Sequence, residues 1–202
     1  MKKILFLLSV TIAFAFISCT KETGKQYLQA HDQNEVMMSL HELIDSTDTI
    51  SFTKGLESDF IDVMQTLHHG GLHMADIMFH ESKDDSLMQI ADSITLNLHK
   101  LLYELTESDS ITVYQDDSAF KAEFEKNLEQ MSEVADVQLI TGDVDNDYAT
   151  LMIPHLQLSI ATCNSYLNYG TDTYFRTKVQ QIVDLENAEI LELSNWLIAN
   201  KR

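Results

Sequence analysis

Residues 147–172, with the sequence DYATLMIPHLQLSIATCNSYLNYGTD, decide the fold of this chain. Apolar residues recur there every three or four positions, which is the spacing of one helix face. Gly170 is typical of helix ends and Asp172 of helix starts, so the stretch predicts a long helix, a tight turn and a second helix. The buried face of the first of these helices is predicted to consist of Tyr148, Leu151, Met152, His155, Ser159, Thr162 and Tyr166.

A second copy of this pattern lies nearer the start of the chain. An ungapped alignment of the sequence with itself pairs Asp59 with Asp147 and Met64 with Met152. The earlier copy also predicts a long helix followed by a tight turn and another helix. The buried face of its first helix is predicted to consist of Phe60, Val63, Met64, Leu67, Gly71, Met74 and Met78.

The two copies predict helical hairpins over about residues 57–107 and 145–200. Two hairpins bury four amphipathic faces against one another, so we expect an all-α four-helix bundle made of two helical-hairpin repeats, plus a short N-terminal helix at Val36–Ile44. Between the hairpins we expect a loop at Ser108–Asp117, partly extended at residues 111–114, and a charged helix at Ser118–Val137.

Composition and charge exclude several classes of protein. The chain has 202 residues, with 32 acidic against 13 basic side chains and a net charge of −19. Nucleic-acid binding needs Lys and Arg to neutralise phosphate, and adsorption on anionic lipid needs them as well, so both are excluded. One proline, six glycines and 45% apolar residues are typical of a folded globular chain and not of a disordered one.

The N-terminus predicts export from the cytoplasm. Lys2 and Lys3 precede an apolar run that ends at Ile17, as in a secretory signal at residues 1–18. Cys19 follows at once, and the segment resembles the lipobox of bacterial lipoproteins, in which that cysteine is acylated. We therefore expect a lipid anchor on Cys19 in the bacterial cell envelope. An ordinary secretory signal with a free Cys19 thiol is the alternative.

After the signal, residues 19–33 are predicted to form a tether, and residues 34–202 a single helical-bundle domain. The mature chain keeps one further cysteine, Cys163, so no disulfide framework supports this fold. We expect Cys163 to be a small buried apolar residue.

The second repeat resembles a known bacterial family. It contains Asp147-Tyr148, then Met152-Ile153-Pro154-His155, then Glu189-Ile190 and a terminal Trp196-Leu197. This pattern is similar to that of the family called domain of unknown function 305. The resemblance implies a ferritin-like helical bundle. Some members of the family are periplasmic copper-binding proteins, so the resemblance also implies metal handling in the envelope.

The chain departs from the family pattern at the paired histidines. The second repeat keeps His155 and has Leu156 next, whereas the first repeat has Leu67 followed by His68. The family glutamine is replaced by Glu186. The side chains that remain at positions of the family pattern are His68, His155, Met64 and Met152.

His155 is the leading candidate for an inner metal site. It lies within an apolar helix face, where both ring nitrogens need partners. A hydrogen-bonded core histidine is one interpretation. The other is a metal ligand supported by Met152 one turn earlier, with His68 and Met64 from the first repeat. Imidazole and thioether donors suit cuprous copper. The methionines are alternatively core filler.

A second candidate site is formed by histidines on the opposite helix face. His69, His73, Asp76 and His80 follow one another at helical spacing. A histidine pair at i and i+4 can close on one divalent ion such as zinc. The alternatives are a solvated polar face, or a face covered by the helix at Val36–Ile44.

The sequence favours metal binding without catalysis. No Glu-x-x-His motif is present, which argues against a di-iron oxidase, and neither His-Glu pair completes the zinc-protease motif. We expect an envelope lipoprotein that binds a transition metal, copper first and zinc second, for sequestration or delivery. The alternative is a structural or adaptor lipoprotein that binds a protein partner through its acidic bundle and holds no metal.

Overall fold

The computed structural model describes residues 28–108 and 116–200, which fold into an all-α helical bundle with no strand in these ranges. This confirms the predicted fold class. A short 3-10 helix at His31–Gln33 precedes the first α-helix. The helices of the described residues are α1 (Glu35–Thr47), α2 (Leu56–Glu81), α3 (Asp85–Thr106), α4 (Ser118–Asp136), α5 (Val144–Tyr169) and α6 (Thr173–Ala199).

Two helical hairpins form the centre of the bundle. One consists of α2 and α3 and the other of α5 and α6, as the repeat predicts. Helix α2 also packs on α5 and α3 on α6, so the four helices form a closed ring around a common core. Helix α1 lies against α2 and α5, and α4 lies on the outer side of α5.

Both predicted core faces are buried. Every residue of the α2 face from Phe60 to Met78 and of the α5 face from Tyr148 to Tyr166 is classed as buried. Aromatic rings fill one end of this core, where the centroids of Phe60 and Tyr166 are 4.7 Å apart. The face assignment from helical periodicity is therefore confirmed for both helices.

An aspartate in the first turn of each repeat holds the loop that leads into it. Asp59 accepts hydrogen bonds from the amides of Lys54 and Gly55, and Asp147 accepts them from the amides of Thr141 and Gly142. Gly55 and Gly142 are the residues with positive φ in the described part of the chain, at 101° and 73°. The two repeats thus use the same loop-to-helix device, because a left-handed residue turns the chain and the carboxylate pairs the exposed amides.

The turn between α5 and α6 has the predicted N-cap of α6, but its glycine has a different role from the one that the sequence indicated. Asp172 caps α6 by accepting a 2.8 Å hydrogen bond from the amide of Phe175, which confirms it as the N-cap. Gly170 ends α5, but its φ of −67° is open to any residue. Glycine is needed there because a Cβ atom would overlap the ring of Tyr166.

Helix α4 is more than the solvated charged helix that the sequence indicated. It packs on α5 through the buried side chains of Phe120, Phe124, Met131 and Ala135. The rings of Phe120 and Phe124 also contact Phe52, which precedes α2. Glu125, Glu129 and Glu133 are exposed, as expected, whereas Glu123 is half-buried and accepts a hydrogen bond from the hydroxyl of Tyr169 of α5.

Several predictions concern parts of the chain outside the described residues. These are the signal at residues 1–18, the lipidation site Cys19, most of the tether at 19–33 and the extended segment at 111–114. The last part of the tether docks on the bundle, because the Gln29 amide donates to the carbonyl of Ile140 at 2.8 Å. None of the helices described is both long and apolar enough to cross a bilayer.

Candidate metal-binding site

His155 lies in the closed core between α2 and α5. Its side chain is buried, and Nδ1 has no hydrogen-bond partner among the described residues. The ring fits because α2 has a glycine opposite it: a Cβ atom on Gly71 would lie 3.0 Å from Nε2. Burial, with a smaller contribution from His68, lowers the pKa of His155 to about 4. The imidazole is therefore neutral at pH 7, which is the form that binds metals.

Thioether and hydroxyl groups lie on the same two helix faces. Met152 precedes His155 by less than one turn and is fully buried. Met64 is also fully buried, and its Sδ atom lies 3.9 Å from the hydroxyl of Ser159, one turn after His155. The structure thus brings Met64 of the first repeat to the α5 face that carries the histidine.

Two buried glutamates of α6, neither of which was predicted as a site residue, complete the polar part of the core. Glu186 accepts a 2.6 Å hydrogen bond from Ser159, while its second oxygen has no partner in the described structure. Burial raises the pKa of Glu186 well above its usual value and that of Glu189 to about 7. Burial without a cation therefore favours the protonated form of Glu186.

A single thiol borders this cluster. Cys163 is fully buried, as expected, and burial together with the nearby Glu186 raises its pKa well above the usual value. It is a neutral thiol at pH 7.

The burial of the two glutamates could have been predicted from the sequence, because Glu186 and Glu189 follow Ile182 and precede Leu193 at core spacing on α6.

His68 lies at the outer edge of the core, close to His69 and His99. The sequence pattern had placed His68 and His69 in two different candidate sites. Its Nε2 atom is buried with no partner in the described chain, and burial lowers its pKa to about 4. Its ring centroid is 5.6 Å from that of His99 and 6.3 Å from that of His69. His99, from α3, was not predicted, because its proximity depends on the register of the α2–α3 hairpin.

The predicted outer histidines are exposed and do not act as one group. His69 and His73 line a surface cavity of about 340 Å³ shared with α1. His73 lies 3.5 Å from the carboxylate of Glu42, and His80 pairs within its own turn with the carbonyl of Asp76 at 2.8 Å. Within residues 28–108 and 116–200, no three His, Cys, Asp or Glu side chains are arranged as a ready-made metal site.

The core cluster is chemically soft. Its donors are a neutral imidazole, two thioethers, a hydroxyl and a carboxyl whose protonated form is favoured by burial. A monovalent soft cation can be accommodated there at a lower electrostatic cost than a divalent one, because no anionic ligand offsets the higher charge. The carboxyl of Glu189 is a nearby group that can lose a proton near neutral pH.

Comparison with known proteins assigns the family. No curated protein and no solved structure matches the chain. The sequence model of the family described as domain of unknown function (DUF305) matches residues 57–197, from the first turn of α2 almost to the end of α6. Because the match covers both helical hairpins and more than half of the chain, the protein belongs to the DUF305 family.

Proposed function

We propose that this protein binds copper in the cuprous state inside its helical bundle, for sequestration or delivery and without catalysis. The observation that carries the proposal is the buried His155, whose Nδ1 lacks a partner on a face that also bears Met152. An unpaired nitrogen in a core costs about 1–3 kcal/mol. A bound metal ion would remove that cost.

The donor set favours copper over zinc. Thioether sulfur and neutral imidazole are preferred by cuprous copper, whereas zinc in proteins relies on thiolate, imidazole and carboxylate. In this role His155 supplies the nitrogen, and Met152 and Met64 supply the sulfurs. The bond from Ser159 to Glu186 holds the α5–α6 side of the cluster in place. His68 borders the site, since a proton on His68 would lower the pKa of His155.

The same features argue for binding and against acid–base catalysis. A general base works best when its pKa is near the working pH. Both His68 and His155 have a pKa of about 4, so they are weak bases at neutral pH. A neutral, buried imidazole suits the storage of a soft cation.

The proposed location of this function is the bacterial cell envelope, and the N-terminal sequence is the reason. The basic start, the apolar run and Cys19 support export and a lipid anchor. The tether would then hold the acidic bundle near the membrane surface. The bundle would not adsorb there, because its negative charge is repelled by anionic lipid.

A competition titration tests the proposal. The full chain with Cys19→Ser, which leaves Cys163 as the single cysteine, is titrated with cuprous ion against a chromogenic chelator. Met152→Leu and Met64→Leu remove a sulfur at nearly constant volume, so the core remains packed. Met131→Leu is the matched control, because Met131 is a buried methionine of α4, which packs on the outer side of α5 and outside the ring of four helices.

We expect cuprous binding that weakens at least tenfold in Met152→Leu and Met64→Leu and is unchanged in Met131→Leu. A His155→Gln variant, which keeps a polar group of similar reach, is expected to weaken binding further. Equal affinities in all variants would overturn the site. Binding no tighter than about 10 µM in the starting protein, little more than about 7 kcal/mol, would overturn the copper function and leave the bundle as a scaffold.

A further inference from the structure

Three histidines meet at the solvent-facing seam between α2 and α3. His68 and His69 come from α2 and His99 from α3, and all three line one cavity of about 320 Å³. His68 is 6% exposed, whereas His69 and His99 are classed as exposed. The group therefore combines one fixed, buried imidazole with two that can turn freely in solvent.

These imidazoles lack the carboxylate partners that the neighbouring histidines have. His73 faces Glu42 and His80 faces Asp76, at 3.5 and 3.6 Å. No ion pair joins His68, His69 or His99 to an acid in the described ranges of the chain. The buried Nε2 of His68 has no partner there either. The cost of an unpaired buried nitrogen therefore falls on His68, and a ligand in this cavity would remove it.

We propose that His68, His69 and His99 form a second metal site, for a divalent transition-metal ion of the zinc class, at the seam of α2 and α3. His68 is the fixed ligand, and the two exposed rings turn about their side-chain torsions to reach the same ion. Water completes the coordination from the cavity. The site is independent of the proposed copper site, since it uses nitrogen donors only and opens to solvent.

The ring separations are consistent with shared coordination. With metal–nitrogen distances of about 2.0–2.1 Å, two imidazoles on one tetrahedral ion have ring centroids roughly 5–6 Å apart. The centroid of His68 is 5.6 Å from that of His99 and 6.3 Å from that of His69, and the exposed rings must turn before their nitrogens reach one ion. Imidazole nitrogen is a ligand that zinc, nickel and cupric ions accept. The net charge of −19 raises the local concentration of cations.

This grouping differs from both histidine sets expected from the sequence. His68 was assigned to the inner site and His69 to a chelate with His73. In the structure His69 can serve either seam, because it lines this cavity and the one shared with α1. A test must therefore compare His99, which belongs only to the proposed site, with His73, which belongs only to the chelate expected from the sequence.

Zinc titration of the full chain carrying Cys19→Ser tests the proposal by calorimetry and by the imidazole signals in NMR spectra. We expect His99→Asn to weaken zinc binding at least tenfold, and the His68 and His69 ring signals to shift on zinc addition. His73→Asn and His80→Asn are matched controls, because each replaces another exposed histidine of α2, and both are expected to bind as the starting protein does. Circular dichroism checks that the helices are retained.

The outcomes are distinct. Equal zinc affinity in His99→Asn and the starting protein overturns the proposal, as does zinc binding no tighter than about 100 µM. Loss of binding in His73→Asn but not in His99→Asn moves the ion to the seam of α1 and α2 and also overturns it. Met152→Leu, which tests the copper site, is expected to leave zinc affinity unchanged, so the two sites can fail separately.

Discussion

Ser159 of α5 donates a hydrogen bond of 2.6 Å to the carboxyl of Glu186 of α6, inside the closed ring of four helices. Both side chains are at most 1% exposed. Burial of a carboxylate without a cation is costly, and the group responds by keeping its proton. This contact therefore links a carboxyl with a raised pKa to the helix that carries His155, and it makes the stability of the bundle depend on pH.

Glu186→Gln is expected to stabilise the protein at neutral and alkaline pH. The native carboxyl keeps its proton where the unfolded chain loses it, so the free energy of unfolding falls as pH rises above the ordinary value of 4.5. The amide has no such dependence. Urea unfolding at pH 7 and pH 8 should show a smaller loss of stability over this interval in the variant than in the starting protein.

Asp184→Asn is the control for this prediction, because it makes the same chemical change on an exposed residue of α6. It should leave the pH dependence unchanged. The interval is chosen because Glu189, with a pKa of about 7, contributes mainly below it. An identical slope in Glu186→Gln and the starting protein would show that the native carboxyl is already ionised at pH 7.

Acid should destabilise the bundle through its two buried imidazoles. The pKa of His68 and of His155 falls from 6.5 to about 4 on folding, so the unfolded chain binds more protons between these values. Their contribution to the free energy of unfolding is fully present above pH 6.5 and is lost as pH falls through 4. For His155 this contribution is up to about 3 kcal/mol. His155→Gln should therefore lose less stability than the starting protein between pH 6.5 and 4.5. A steeper loss in the variant would contradict a neutral buried His155.

Asp147→Ala is expected to destabilise the protein by about 2–4 kcal/mol, because it removes the acceptor of two loop amides and of Asn34. Asp147→Asn keeps one oxygen acceptor and should lose less. Urea unfolding measures both, and Asp184→Ala on the exposed face of α6 should stay within about 0.5 kcal/mol of the starting protein. If Asp147→Ala costs no more than that control, the loop amides are paired in some other way.

Local pattern was enough to predict the helices and the buried faces of α2 and α5, because each depends on residues within a few turns, whereas the buried face of α4 was not predicted. The hairpins and the Asp172 cap follow from spacing and from turn chemistry, and all of them are confirmed. The role of Asp147 as an acceptor for the preceding loop was not predicted, although the repeat had aligned it with Asp59. That role depends on the left-handed glycines, whose conformation a sequence indicates only weakly.

The candidate sites were harder to predict than the fold. His99 and His68 are 31 positions apart and meet only because of the register of two helices. Glu186 is buried against Ser159 although glutamate is among the residues least often buried. Single-helix periodicity places each side chain on a face, but it does not state which other helix that face meets. The exposed His73 and His80 were grouped for the same reason, whereas their contacts are to separate acids.

The Cys163 thiol should be protected from alkylation in the native state. It is fully buried, and its pKa is raised by burial and by Glu186. In the Cys19→Ser background one thiol remains, so labelling with a thiol reagent reports on opening of the core. We expect a rate at least about a thousandfold below that of the urea-unfolded chain, with a further decrease on cuprous addition. A native rate within tenfold of the unfolded rate would contradict a closed core.

Adjacent glycines of α2 allow the metal site and the fold to be perturbed separately. A Cβ atom on Gly71 would lie 3.0 Å from Nε2 of His155, whereas one on Gly70 would lie 2.7 Å from two methyl carbons of Leu43 in α1. Gly71→Ala should lower cuprous affinity at least tenfold by displacing the ring. Its stability should change little, because alanine favours the helix by about 1 kcal/mol over glycine.

Gly70→Ala should behave in the opposite way. Its Cβ atom would also lie 2.9 Å from the Cβ atom of Leu43, which rotation of that side chain cannot move away, so α1 must shift at a cost of about 1–3 kcal/mol. Cuprous affinity should remain unchanged, since α1 contributes no proposed copper ligand. Thermal unfolding and the chelator competition measure the two effects on the same samples. If Gly70→Ala and Gly71→Ala lower copper affinity equally, the metal does not depend on the ring of His155, and the inner site is wrong.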